Sequence, residues 1–272
     1  MLRTLTHKNK QNRIKPQFAY IRGISLVELM VAMAVGIVIS GLAMNYLYRN
    51  LQTRNVNAAY SNLKDNGAMG MQLLIKNSRE GGLNAGIPLV AIMGDSDITG
   101  GLCSPAADTF CTLNESDASD RLAIQMSFPI EHVACNGQTA AAFETIVEVF
   151  SITRSTDYDA LVCQTYSVTQ GTWLNTDQRR ILQTGVQDLQ VQFFQNGFNQ
   201  AVNASEVSDW NLVQGIEIAL LASSEIPARL ESMVQNFNLL DRNVQRFEDR
   251  MARHIFQTTL AFNNKLLEEE SE

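Results

Sequence analysis

Four cysteines are the residues of this chain with the most obvious chemistry: Cys103, Cys111, Cys135 and Cys163. No two of them have the C-x-x-C spacing, so neither a zinc site nor a thioredoxin-like centre is favoured. Four cysteines allow three disulfide pairings. We favour Cys103 with Cys111 and Cys135 with Cys163, because a loop could close the first pair and adjacent strands the second. Free thiols are the alternative.

An aspartate-rich stretch, Asp95-x-Asp97-x-Thr99-Gly100, begins like a calcium-binding loop. The position that should supply the closing glutamate is Ala106, so the EF-hand interpretation fails and a solvated loop is the better account. The sequence therefore predicts no metal site.

The histidines of the chain are His7, His132 and His254. They do not combine with a serine and an aspartate in a hydrolase order, and no paired carboxylates stand out. We predict no catalytic residue, no cofactor and no enzymatic activity. A membrane-tethered periplasmic enzyme is the alternative from a different class, and it would require a concave polar site.

The charge of the chain is unevenly distributed. Of its 272 residues 21 are basic and 28 are acidic, which gives a net charge of −7. Residues 1–23 contain six lysines and arginines and no acid, so the remainder carries −13. An acidic remainder argues against nucleic-acid binding as the main function. A short basic head on an acidic body is typical of a targeting segment.

A membrane-spanning segment follows the basic head. Residues 29–48 are 20 residues without a charge, which corresponds to roughly 30 Å of helix and is enough to cross the hydrocarbon core. We predict the transmembrane part at about 24–48. The basic side should stay in the cytoplasm, so the residues after Arg49 should face outward, into a compartment where disulfides persist.

Two residues at the start of this segment are unusual. Gly23 is a small residue before the apolar run, whereas a secretory signal has its small residues after it. A cut after Gly23 would create a free amine at Ile24, four residues before Glu28. A carboxylate at the edge of a membrane span is costly and usually has a partner, so the amine could neutralise Glu28, within one chain or between neighbours. The alternative is that Glu28 lies among the lipid headgroups without a role.

The basic leader, Gly23 and the run Ile24-Ser25-Leu26-Val27-Glu28-Leu29-Met30-Val31-Ala32 form one pattern. This pattern resembles the class III signal of type IV pilins and type II secretion pseudopilins. The resemblance implies that a prepilin peptidase cleaves after Gly23 and methylates Ile24. It also implies that Glu28 pairs with the amine of a neighbouring subunit during assembly. Ile24 departs from the family, which most often has Phe at this position.

The helix is predicted to continue beyond the membrane to about Glu80. No proline occurs between Pro16 and Pro88. A stripe at spacings of three and four indicates an amphipathic helix, and it consists of Val56, Tyr60, Leu63, Gly67, Met71 and Leu74. Gly81-Gly82 then predicts a stop. We expect a leader at 1–23, a long helix at 24–80 and a periplasmic head at 81–272.

The head is predicted to be mostly β. Segments with period-two alternation or β-branched residues lie at 122–126, 146–150, 161–168, 189–193, 216–220 and 254–262. We expect an α+β fold in which the long N-terminal helix packs on a mostly antiparallel β head. The resemblance to type IV pilins implies the same arrangement.

An extra helix is predicted at about 228–251. Apolar residues there follow a 3-4-3-4-3-4 spacing, namely Leu230, Met233, Phe237, Leu240, Val244, Phe247 and Met251. We favour a surface helix that covers the sheet. The alternative is a docking helix for a neighbouring subunit.

Three later segments are similar to PilW-type minor pilins. They are GVQDLQVQF at 185–193, WNLVQGIEIALL at 210–221 and RHIFQTTLAFNN at 253–264. The resemblance covers the N-terminal segment and the C-terminal third, whereas 83–180 has no match. The stretch 226–252 departs from the short connection expected there.

The resemblance implies a structural minor pilin that helps to prime type IV pilus assembly in the inner membrane. It would then sit in the filament, in a tip complex, and support twitching motility. The implied partners are other minor pilins, the major pilin, prepilin peptidase and a tip adhesin. A J-type minor pseudopilin of a type II secretion system is the alternative.

Overall fold

The computed structural model of the protein describes residues 23–84, 89–115, 117–174, 179–196 and 200–262. It divides into two compact units, Met1–Leu51 and Gln52–Glu272. Of the predicted leader, only Gly23 lies within the described residues. The division into leader, helix and head stays a prediction.

The longest element is the helix α1, Leu26–Arg79, with 54 residues. After Arg79 the backbone tightens: the N–H of Glu80 donates to the carbonyl of Asn77, and that of Gly81 to the carbonyl of Ser78, both at 3.1 Å. Gly82 then adopts a φ of 74°, a left-handed backbone that glycine reaches without a steric penalty. The helix therefore ends where the glycine pair predicts a stop.

The described part of the head contains twelve strands and two short 3₁₀ turns, at Ala204–Glu206 and Trp210–Leu212. In chain order the strands are β1 (Leu122–Ser127), β2 (His132–Val133), β3 (Thr139–Ala140), β4 (Thr145–Arg154), β5 (Asp159–Ser167), β6 (Thr172–Trp173), β7 (Arg180–Thr184), β8 (Val186–Gln195), β9 (Val213–Ser223), β10 (Met233–Phe237), β11 (Gln245–Asp249) and β12 (Arg253–Ala261).

Two antiparallel sheets form the framework of the head. One has the order β1-β4-β5-β6, with β7 also paired to β5; the other has the order β12-β9-β8. The pairs β2–β3 and β10–β11 are separate hairpins. Each of the six predicted strand segments corresponds to one of the long strands. The predicted α+β fold, a long N-terminal helix with an antiparallel β head, is confirmed.

The main core lies between both sheets and the second part of α1. Among its fully buried side chains are Leu74 from the helix, Phe150 from β4, Phe193 from β8 and Trp210 from the second 3₁₀ turn. Period-two alternation directs one face of each strand inward, which is why these residues meet. The core therefore holds together elements that are far apart in the sequence.

Helix α1 lies against the sheet β12-β9-β8 through its glycines. The ring of Phe256 on β12 occupies the space that a Cβ on Gly67 would fill, and a Cβ on Gly70 would lie 3.4 Å from Leu220 and Val186. Ala59 is buried on this side of the helix, whereas Tyr60, which the predicted stripe includes, is exposed. The two glycines thus let the sheet approach the helix backbone closely.

The extra helix predicted at 228–251 is wrong, because this stretch forms the hairpin β10–β11. Phe237 and Phe247 come from the two strands and make an edge-to-face contact, with ring centroids 6.1 Å apart. With Leu239 they cover Ala219, Leu221 and Ile255. These sheet residues alternate with those that face α1, so the hairpin covers the opposite face of the sheet.

A local feature of the chain explains why the 3-4 spacing misleads here. Leu240 adopts a φ of 43°, a left-handed conformation that a continuous right-handed helix does not contain. Asn236, Asn238 and Asn243 around it favour turns over helix interiors. Phe237 and Phe247 also satisfy period two within their own strands, and packing on the sheet selects that period.

Candidate functional site

The first candidate site is the N-terminal part of α1, in the unit Met1–Leu51. Every residue from 23 to 51 is exposed, including large apolar side chains such as Leu26, Ile37 and Leu42. Of the described residues, α1 is the one helix long and apolar enough to cross a membrane, judged by length and composition. Exposed apolar surface of this extent is typical of a segment that a membrane or neighbouring subunits cover.

Gly23, Ile24 and Glu28 lie at the beginning of this segment. Gly23 and Ile24 precede the helix and are exposed, a placement that an incoming protease could reach. Glu28 lies in the first turn of α1, where a negative charge interacts favourably with the helix dipole. Within the described residues, the structure brings no cationic group to Glu28. Its predicted pairing with a neighbouring subunit remains a prediction.

The four cysteines form two disulfides in the head. Cys103 pairs with Cys111, with Cα atoms 5.7 Å apart, and Cys135 pairs with Cys163, with Cα atoms 6.1 Å apart. The first bond joins two cysteines that are eight positions apart in the sequence, and the second joins the β2–β3 hairpin region to β5. These are the two pairs that the sequence favours. Closed loops of this kind restrict the unfolded chain and so stabilise the head.

Asp188 is a residue that the sequence analysis does not single out. It lies in the PilW-like segment 185–193, is fully buried, and forms an ion pair with the buried Arg242. The Ser119 hydroxyl donates to Asp188 Oδ1 at 2.7 Å, and the Gln245 side-chain amide donates to Oδ2. Buried charges require such partners. Asp188 therefore ties the tip of the β10–β11 hairpin to β8.

Asp117 strengthens the same attachment. Its backbone carbonyl accepts a hydrogen bond from Arg242 at 3.2 Å, and its carboxylate accepts one from the Asn243 side chain at 2.6 Å. The hairpin is therefore held at its tip by polar contacts and along its strands by aromatic ones. A sequence signal does exist: the acid in the apolar strand 186–195 and the arginine at 242 are each unexpected at buried positions.

Asp120 is a second buried acid of the head. Burial raises its pKa to about 7, although hydrogen bonds from the backbone N–H groups of Glu115 and Val191 and from the Asn114 side chain lower it. Nearby Asp241 raises the pKa of Asp120 further. Since three donors already use its carboxylate, Asp120 connects the loop before β1 to β8 rather than offering a reactive group.

The other residues considered for chemistry lie apart. The His132 ring stacks on Phe128, with centroids 3.7 Å apart, and burial lowers the pKa of His132. His254 is on β12, in the other sheet. Asp95 accepts a hydrogen bond from the backbone of Asp97 at 3.0 Å, as in a loop turn. Within the described ranges, no group of three or more His, Cys, Asp or Glu residues could hold a metal ion.

Most of the head is similar to a known protein family. Residues 149–264, from β4 through β12, match the family model for PilW, described as type IV pilus-assembly protein W. Over this region the chain is similar to that family. The matched region includes the β10–β11 hairpin, so the departure at 226–252 lies inside the region that the family model matches.

One solved structure is also similar. It is a type IV-like pilin from Thermus thermophilus, with 13% sequence identity, a TM-score of 0.44, and coverage of 75% of this chain and 96% of that chain. No curated protein matches the chain.

Proposed function

We propose that this PilW-type chain is a minor pilin that helps to prime type IV pilus assembly and then sits in the filament, in a tip complex. The observation that carries the proposal is the PilW match over residues 149–264. The exposed apolar surface of residues 26–51 supports it, because an assembling pilin needs a membrane anchor before assembly and a packing surface afterwards.

The proposed function involves three steps: processing, anchoring in the membrane and assembly. Prepilin peptidase removes residues 1–23 and methylates Ile24. The helix beyond Ile24 then holds the subunit in the inner membrane, with its disulfide-bonded head in the periplasm. On assembly, the Glu28 carboxylate pairs with the new amine of a neighbouring pilin, which removes an uncompensated charge from an apolar environment.

Processing is tested with Gly23→Ala in the full chain, with Gly36→Ala as the matched control, since a Cβ at either glycine meets nothing within 4 Å. We expect Gly23→Ala to remain full-length in the inner membrane and to be missing from sheared pili, whereas Gly36→Ala is cut and incorporated. Immunoblots of membrane and pilus fractions measure this. Full-length Gly23→Ala in normal amounts in pili would contradict the processing step.

Assembly is tested with Glu28→Ala, with Glu131→Ala as a control that removes an exposed acid of the head. We expect normal cleavage of both variants and a loss of at least about tenfold in the incorporation of Glu28→Ala alone, since an unpaired buried amine costs more than 1.4 kcal/mol. Unchanged incorporation would show that Glu28 has no partner.

The assembly partners distinguish a pilus from a secretion filament. Crosslinking of the intact chain in membranes should recover the major pilin and other minor pilins. Recovery of secretion pseudopilins in their place would favour the J-type alternative.

A further inference from the structure

A buried carboxyl lies beside the disulfide between Cys135 and Cys163. Glu148 on β4 is only 1% exposed. Its Oε1 accepts a hydrogen bond from the backbone N–H of Cys135 at 2.7 Å. Its Oε2 is also buried and has no hydrogen-bond partner among the described residues. Burying a carboxyl oxygen without a hydrogen-bond partner lowers the stability of the fold, so the presence of Glu148 here requires an explanation.

The strands bring this carboxyl and the disulfide to one face of the sheet. Glu148 lies directly opposite Thr165 on β5. Cys163 lies two residues before Thr165 and therefore on the same face. The Thr165 hydroxyl is 3.6 Å from the Cys135 sulfur. Glu148, Thr165 and the Cys135–Cys163 disulfide therefore lie close together on one face of the sheet.

The two cysteines of this pair differ in accessibility. Cys163 is fully buried, whereas Cys135 is partly exposed. An oxidant that arrives from solvent therefore reaches Cys135 first. The Cys163 thiol must then lose its proton where water is excluded, because only the thiolate attacks a disulfide.

The surroundings of Glu148 suit proton exchange near neutral pH. Burial raises its pKa to about 7, and the hydrogen bond from Cys135 lowers it. From the end of α1, Glu80 raises the pKa and Lys76 lowers it. Across the sheet, β5 contributes the neutral Thr165 and β1 contributes Ile124 opposite Glu148.

We propose that Glu148 accepts the proton of the Cys163 thiol when the Cys135–Cys163 disulfide closes during oxidative folding of the head. This function is separate from the assembly role of the chain. It assigns to Glu148 a position beside the reacting sulfur atoms, and the co-reactant is a disulfide-bearing oxidant that enters from solvent.

The closure proceeds in two exchanges. The Cys135 thiolate first attacks the oxidant disulfide, forms a mixed disulfide and releases one half of the oxidant as a thiolate, which takes a proton from water. The Cys163 thiol then gives its proton to Glu148 Oε2, and its thiolate attacks the Cys135 sulfur. The bond between Cys135 and the oxidant breaks, and the second half leaves as a thiolate that is protonated by Glu148 or water. Two protein thiols are oxidised and one oxidant disulfide is reduced to two thiols.

The other disulfide provides an internal reference. The loop between Cys103 and Cys111 contains Asp108, but this acid is only half-buried and its carboxylate accepts a hydrogen bond from the Ser104 N–H at 2.9 Å. Closure of that pair should depend on thiol ionisation alone.

The test uses the full chain in detergent micelles, reduced and then reoxidised with oxidised glutathione at a series of pH values. Alkylation at timed intervals and peptide mass spectrometry follow each disulfide separately. Glu148→Gln keeps an oxygen that can accept the Cys135 N–H. Glu144→Gln is the matched control, because Glu144 is a buried carboxyl that accepts hydrogen bonds from Ala141, Ser167 and Gln170 rather than from a cysteine.

We expect Glu148→Gln to slow closure of Cys135–Cys163 by at least about tenfold at pH 7.5, since a positioned base commonly contributes a hundredfold or more. The wild-type rate should rise with pH through about 7. The Glu148→Gln rate should rise only near the ordinary thiol pKa, about 8.5. Closure of Cys103–Cys111 should be the same in all three proteins.

Equal rates and equal pH profiles for wild type and Glu148→Gln would overturn the proposal. If Glu148→Gln does not fold, the wild-type protein alone decides the matter. A Cys135–Cys163 profile that matches the Cys103–Cys111 profile would overturn the proposal, and a profile displaced toward pH 7 would support it.

Discussion

Apolar and acidic side chains are exposed in the first part of α1, whereas many of them are buried in the head. Residues 26–51 expose a nearly continuous apolar surface, and their one acid, Glu28, is also exposed. The head buries its apolar residues in a core and buries the acids Asp120, Glu148 and Asp188 as well. The exposed segment therefore needs surroundings other than the described part of this chain, whereas the head supplies at least one hydrogen-bond donor to each of its three buried acids.

This contrast separates two kinds of mutation. Changes in residues 26–51 should alter what the chain associates with, and should leave the folding of the head unchanged. Changes at the buried acids or at the contacts of α1 with the sheet should alter folding. Both tryptophans, Trp173 and Trp210, lie in the head, so tryptophan fluorescence during urea unfolding reports on the head alone.

The largest effect is expected from Asp188→Asn. The substitution leaves Arg242 buried without its counter-charge, and breaking a buried ion pair by removing one partner costs about 3–5 kcal/mol. The free energy of unfolding, measured by tryptophan fluorescence in urea, should fall by that amount. Glu28→Ala should leave the same measurement unchanged to within about 0.5 kcal/mol, the usual range for surface substitutions.

A result in which both substitutions destabilise the head equally would break the contrast. It would mean that the exposed helix segment takes part in the folding of the head.

The second prediction concerns pH. Glu148 and Asp120 both have pKa values raised to about 7 by burial, so the folded head binds these protons more tightly than the unfolded chain does. The free energy of unfolding should therefore fall as pH rises from about 4.5 to about 7 and stay level above that. Glu148→Gln should remove the contribution of Glu148 to this fall in the free energy of unfolding, which is at most about 3 kcal/mol.

Urea titrations at pH 5, 6, 7 and 8 measure the slope. Stability that increases over this range in wild type would contradict the buried state of these two acids.

The third prediction compares two glycines of α1. Gly67→Ala should destabilise the head by about 1–2 kcal/mol, because the new Cβ displaces the Phe256 ring and this overpacking outweighs the higher helix propensity of alanine. Gly41→Ala meets no atom within 4 Å and should leave the unfolding of the head unchanged.

Circular dichroism of the intact chain gives the complementary measurement. Gly41→Ala should raise helix stability slightly, by less than about 1 kcal/mol. Equal unfolding curves for Gly67→Ala and wild type would show that α1 does not hold the sheet through this contact.

The parts of the fold with a strong local pattern could be predicted from sequence. Helix α1 is uninterrupted by proline and ends at a glycine pair, and the long strands have clear period-two alternation. The disulfide pairs also agree with the sequence, because short loops and neighbouring strands limit the choices. These features depend on residues close together in the chain.

The hairpin β10–β11 and the position of Asp188 could not be predicted in the same way. The 3-4 spacing around Phe237 and Phe247 fits a helix as well as two short strands, and the sheet face that selects between them is formed by β9 and β12. Arg242 and Asp188 are 54 residues apart in the sequence. Partners at such distances leave no local pattern in the sequence. For the same reason, the sequence around Glu148 does not distinguish it from an ordinary strand residue.

The contact between Gly67 and Phe256 also bears on the order in which parts of the chain can pack during synthesis. Synthesis runs from the N-terminus, so the gap in α1 exists 189 residues before the ring that fills it. Strands β8 and β9 can cover α1 at Gly70 before β12 is made, but the surface at Gly67 stays uncovered until Phe256 on β12 emerges, and contacts this distant in sequence tend to form late in folding. A chain truncated before residue 253 therefore lacks the ring that covers Gly67, although β8 and β9 remain to pack on the helix at Gly70.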